Sequence, residues 1–97
     1  MGIKVIVEIT AKPGKRAELH GLLEGIIAKH GVGMPGYLGS TRYEVVDQPD
    51  VLVELAEWES VEARNEHMKA AMESGVFAPL MDLMGAPFRV TVIRALS

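Results

Sequence analysis

His67 and Trp58 are the two side chains of this sequence best suited to chemistry. An imidazole titrates near neutrality, so at His67 it is able to accept a proton from a phenol or quinol. Trp58 is the single tryptophan, and its indole offers a flat wall for an aromatic ligand. Each also has a structural reading: a tryptophan at a strand end anchors a core, and a helical histidine bonds a backbone carbonyl. His67 shares a helical stripe with Ala63, Ala70, Ala71 and Ser74, whose small side chains leave room beside it. Arg42 and Tyr43 are neighbours in a strand, so they point to opposite faces and one of them faces the helices. Arg42 also has Glu44 and Glu54 within reach for an ion pair across a hairpin. Met68 belongs with Met72, Met81 and Met84 to a methionine-rich helical region, fit for an adaptable apolar pocket or for plain core.

Other chemistry finds no support. His20 reads as a surface residue and His30 as the end of a helix. The three histidines lack metal-ligand spacing, so no metal site is expected. There is no Cys, which removes disulfides, thiolate catalysis and iron–sulfur clusters. The glycine-rich stretches at 31–33 and 36–39 precede a strand, whereas a nucleotide loop follows a strand and opens a helix. No cofactor is expected.

The 97 residues fit one domain spanning 1–97. A chain this short buries only about 60–65% of its unfolded surface, which leaves apolar area for a partner. Ten Lys and Arg against thirteen Asp and Glu give a net charge of −3. That balance argues against nucleic acid, which calls for a basic stripe. No run approaches the ~20 apolar residues that span a membrane. The start of the chain reads as a strand and not as a signal peptide, so a cytoplasmic location is expected.

The elements that must position these residues follow from periodicity. Ile3 to Thr10 alternates, with Ile3, Val5, Val7 and Ile9 on a dry face. A helix begins at or just after Pro13 and carries the stripe Leu19, Leu22, Leu23, Ile26, Ile27 and His30, with Gly31 as a left-handed cap. Residues 37–46 and 51–58 make a hairpin around the turn Asp47-Gln48-Pro49-Asp50. Ser60 caps a helix from Val61 to about Glu73; a short helical piece covers 76–84 and a last strand 88–96. The order β-α-β-β-α-β is the α+β, ferredoxin-like split βαβ: a four-stranded antiparallel sheet with both helices on one face.

The uncovered sheet face decides the assembly. Ile6, Leu52, Ala56, Trp58, Ile93 and Ala95 are assigned to it, which makes it too apolar for water. A second copy packed face to face would cover it, so a homodimer through the sheet is expected.

The segment Val53-Glu54-Leu55-Ala56-Glu57-Trp58-Glu59-Ser60-Val61-Glu62-Ala63, followed by His67, resembles the antibiotic biosynthesis monooxygenase (ABM) family. Pro35-Gly36-Tyr37-Leu38-Gly39 and the helix entry at 12–15 fit the same pattern. The resemblance implies a dimeric α/β barrel with a pocket between sheet and helices in each subunit. It also implies a cofactor-independent monooxygenase acting on a small aromatic, quinol or polyketide-like substrate. His67 would be catalytic, and Trp58, Tyr43, Arg42 and Met68 would contact substrate. The alternatives are an isomerase or lyase of a small carbonyl compound, or a non-catalytic ligand-binding or stress-response barrel. One position departs from the family pattern. Members usually carry Glu two residues before the Trp; here that place is Ala56, and the nearby acids are Glu54 and Glu57.

Overall fold

The computed structural model describes residues 2–30 and 34–96, with His30 through its backbone only. The cap expected at Gly31 and the loop through Gly33 lie outside the described residues. The elements are β1 (Ile3–Thr10), α1 (Arg16–His30), β2 (Tyr37–Val45), β3 (Gln48–Trp58), α2 (Val61–Ser74), α3 (Ala78–Met81) and β4 (Arg89–Ile93). They form one antiparallel sheet in the order β2-β3-β1-β4, a ferredoxin-like α+β fold.

Local chemistry sets the boundaries. Ser60 has extended backbone and its hydroxyl accepts the Ala63 N–H at 3.1 Å, satisfying one of the donors that a helix start leaves open. Gly75 ends α2 in the left-handed region, at φ 72°, and its N–H bonds the Met72 carbonyl. The hairpin between β2 and β3 is tighter than the sequence suggested. Pairing reaches Val45 and Gln48, so the turn is Val46-Asp47 and not 47–50. Pro49 is tolerated because pairing with the β1 side ends at Asp50, whose carbonyl accepts the Ala11 N–H at 2.8 Å; positions 48 and 49 of β3 overhang it. The last strand is also shorter than expected, Arg89–Ile93 against 88–96.

Register fixes what each face carries. Ile3, Val5, Val7 and Ile9 pair with Trp58, Ala56, Glu54 and Leu52, so all eight point toward the helices. The assignment of Leu52, Ala56 and Trp58 to the uncovered face is therefore corrected. Both parities of this strand are rich in apolar residues, and alternation alone does not distinguish them. The uncovered face carries Ile6, Val53, Leu55 and Ile93, flanked by the pairs Lys4–Glu57 (3.6 Å) and Glu8–Arg89 (3.9 Å). Two core clusters form on the helix side. One gathers Ile9, Ala11, Leu19, Leu23, Leu52 and Leu80; the other gathers Ile3, Val5, Ala56 and Trp58. Leu22 lies at the margin of the α1 stripe and is exposed. The helices stop short of β4, where Val90 and Val92 remain 45% and 43% exposed despite facing the helix side. Among the described residues no helix is long and apolar enough to cross a membrane.

Candidate functional site

Between the two core clusters the sheet and helices do not close. β1 supplies Val5, Val7 and Ile9 to the floor of a cavity, and β3 adds Glu54, Ala56 and Trp58. Leu23, Ile26 and Ile27 of α1 form one wall, with Arg64, His67 and Met68 of α2 opposite. Phe77, Phe88 and Val90 border it as well. The water-accessible space is about 130 Å³. At ~10–15 Å³ per water position, that is room for roughly ten waters. Ten waters in the liquid fill about 300 Å³, the lower end of small-molecule pockets and enough for a ligand of a few fused rings.

Trp58 and His67 come together here. Their rings stack with centroids 5.2 Å apart and planes 28° from parallel. Tyr37 leans on Trp58 from another side, at 5.1 Å and 59°. Trp58 is thus 4% exposed and in contact with two rings. His67 lines the cavity, though none of Ala63, Ala70, Ala71 and Ser74 does. Met68 lines the same space, and Met34, unnoticed in the sequence, does so too. Met72 and Met81 are exposed, and Met84 packs on the first core cluster.

Arg42 and Tyr43 separate as strand geometry requires. Tyr43 points to the uncovered face, where it is 50% exposed, and does not line the cavity. Arg42 points to the helix side. It pairs not with Glu44 but with Glu24 of α1, at 2.8 Å, and donates to the Ser40 hydroxyl at 2.6 Å. The Tyr37 hydroxyl shares a 2.6 Å hydrogen bond with that same Ser40 oxygen. This polar run ties β2 to α1 beside the cavity. The Arg42 Nε is buried without a hydrogen-bond partner.

Glu54 is the cavity residue that the sequence reading passed over. It sits opposite Arg42 across β2 and β3 and opposite Val7 across β1. Burial raises its carboxyl above the usual 4.5; Arg42 pulls it back down and Glu24 pushes it further up. The signal was available: Glu54 is four residues before Trp58, so the two share a strand face. Arg64 was likewise missed, because nothing in its spacing sets it apart. Among the described residues, no group of three or more His, Asp or Glu could hold a metal ion.

Comparisons with known proteins agree with this architecture. The family model described as antibiotic biosynthesis monooxygenase matches residues 2–74. No curated protein matches the sequence. Among solved structures, Rv0793 from Mycobacterium tuberculosis is 26% identical, with a TM-score of 0.82 over 100% of this chain and 97% of that one. A conserved protein from Methanosarcina mazei is 20% identical, with a TM-score of 0.83 over 97% and 92% of the two chains. SnoaB from Streptomyces nogalater, described as a cofactor-independent oxygenase, is 17% identical, with a TM-score of 0.82 over 99% and 94%.

Proposed function

The chain belongs to the antibiotic biosynthesis monooxygenase family, and from that premise we propose that it is a cofactor-independent monooxygenase of a small aromatic, quinol or polyketide-like substrate. One observation carries the reading: an apolar cavity of a few rings' size has an imidazole on its wall, fixed against the only tryptophan. His67 accepts the proton of the bound hydroxyl. The resulting anion is electron-rich enough to reduce O₂, and recombination forms the new C–O bond. One oxygen stays in the product and the other leaves as water, so the substrate supplies all the electrons. The apolar lining favours a flat ligand, and Met34 and Met68 give the walls some adaptability.

A second copy completes the assembly in this reading. The patch of Ile6, Val53, Leu55 and Ile93 on the uncovered face, with Tyr43 beside it, packs against its twin in a twofold dimer. The ion pairs Lys4–Glu57 and Glu8–Arg89 lie on this same face, on either side of Ile6 along β1.

Oxygen uptake with a panel of quinols and anthrones tests the proposal. Wild type consumes O₂ with at least one of them, and His67→Ala lowers the rate by ~10²–10⁴-fold, the usual worth of a positioned proton acceptor. No uptake with any compound, or an unchanged rate in the variant, overturns it. The carboxyl of Glu54 inside the cavity favours one rival, an isomerase or lyase that moves a proton on a carbonyl compound. Substrate turnover without O₂ consumption would establish that rival.

A further inference from the structure

Glu54 is a charged residue type on an apolar wall, and the one cation the sheet sets opposite it is Arg42. Its neighbours on the same face of β3 are Leu52 and Ala56, both buried, and its partner on β1 is Val7. A leucine or valine would complete that surface at no desolvation cost. The cation opposite it on β2 is engaged elsewhere: the short contacts of Arg42 go to Glu24 and Ser40. The carboxyl therefore sits at the cavity with a guanidinium near it whose strongest bonds are made to another acid.

Position gives it a use. Glu54 and Trp58 lie on one strand face, separated by ~13 Å at about 3.3 Å per residue. His67 is fixed at the Trp58 end. The cavity thus offers two proton-accepting side chains, His67 at the Trp58 end and Glu54 further along the floor, with Ala56 between Trp58 and Glu54 on the strand face. A flat aromatic ketone held there can present its oxygen to His67 and a ring methylene carbon to Glu54.

We propose that Glu54 is a second proton acceptor of this site, taking a proton from the ring methylene carbon of a bound aromatic ketone while His67 faces the ketone oxygen. The proposal rests on the aromatic-ligand reading above but not on the oxygenation step. In it the C–H bond breaks, the proton passes to a Glu54 carboxylate oxygen, and the electron pair remains on the ligand as an enolate. Nothing is oxidised or reduced at this stage. The groups facing Glu54 are Arg42 from β2 and Glu24 from α1, while α2 contributes Arg64 and His67 to the same cavity. Burial makes the carboxylate a stronger base than one in water, which suits the removal of a proton from carbon.

Anaerobic exchange in D₂O tests this without oxygen chemistry. The probe is anthrone, whose ring methylene protons are lost from the proton NMR spectrum as deuterium enters. Wild type accelerates the exchange, and Glu54→Gln lowers that acceleration by ~10²-fold or more. The rate rises with pH as Glu54 loses its proton. Arg42→Gln shifts that rise to higher pH, because the cation holding the carboxyl down is gone. Glu24→Gln shifts it to lower pH, because the charge pushing it up is gone. A purely structural role would leave the profile where it is. The fold control has a defined sign as well. Wild type loses stability as pH climbs above 4.5 through the raised value, since the half-buried carboxyl must ionise; Glu54→Gln escapes that loss and unfolds at higher urea at neutral pH.

Equal exchange in Glu54→Gln and wild type, an unshifted profile in Glu24→Gln, or no acceleration by wild type each overturns the proposal. Glu54-dependent exchange in a protein that consumes no O₂ would sustain this assignment and remove the oxygenase reading. Oxygen uptake with Glu54-independent exchange would do the reverse.

Discussion

Gly36→Ala unfolds at a markedly lower urea concentration than wild type. Gly36 has φ 80°, a backbone conformation that costs an L-residue about 1–2 kcal/mol. A Cβ there would sit 2.5 Å from the Cβ of Ala63, on the first turn of α2. Relief of such a contact typically costs about 1–3 kcal/mol. Neither side yields easily, because the Gly36 carbonyl accepts the Glu59 N–H at 2.8 Å and pins the loop to the helix entry. The sum is about 2–5 kcal/mol, a large share of the ~5–15 kcal/mol that holds a domain together. With a urea slope of about 2 kcal/mol/M, the midpoint falls by about 1–2.5 M. A double-mutant cycle with Ala63→Gly separates the two causes. The pair recovers the steric part and keeps the backbone part. A cycle with no coupling would rule out the contact with Ala63 as the source of the loss.

Trp58→Ala has a comparable cost and a second consequence. Removing a buried indole costs about 3–5 kcal/mol, from lost burial and the space left behind. The change also strips His67 of the ring it stacks on and Tyr37 of its tilted partner. Oxygen uptake therefore falls even at temperatures where the variant is still folded. Circular dichroism is the measurement of choice, since the variant has no tryptophan left to fluoresce. Trp58→Phe keeps an aromatic ring at the site and most of the burial, and holds a larger part of both stability and rate. If uptake by the folded fraction of Trp58→Ala equals that of wild type, the stack does not position the imidazole.

Periodicity carried the element order, the antiparallel sheet and the cavity-facing side of α2, because each is a local pattern. Faces were harder. β3 has apolar residues on both sides, so Leu52, Ala56 and Trp58 were assigned to the wrong one until pairing with Ile9, Val5 and Ile3 fixed them. The same parity, followed from Trp58 back to Glu54, would have placed a carboxyl in the cavity. The turn at Val46-Asp47 was obscured by Pro49, whose meaning depends on how far β1 extends. Arg42 was matched to acids on its own hairpin, whereas its partner Glu24 lies on a helix 18 residues away in the chain. No spacing rule encodes that contact; only the docking of α1 on the sheet creates it. The proton affinity of Glu54 was illegible for the same reason, since burial by three elements sets it.

β4 has a bearing on how the protein behaves at high concentration. It is one edge of the sheet, and Val90-Thr91-Val92-Ile93 is exposed along its length. An edge of this kind is a template for strand addition, the first step of ordered aggregation. Arg89 and Arg94 bracket it. Parallel, in-register stacking of copies would set Arg89 on Arg89 and Arg94 on Arg94, so the two charges act as gatekeepers against it. That protection is electrostatic and weakens as salt shortens the range of repulsion.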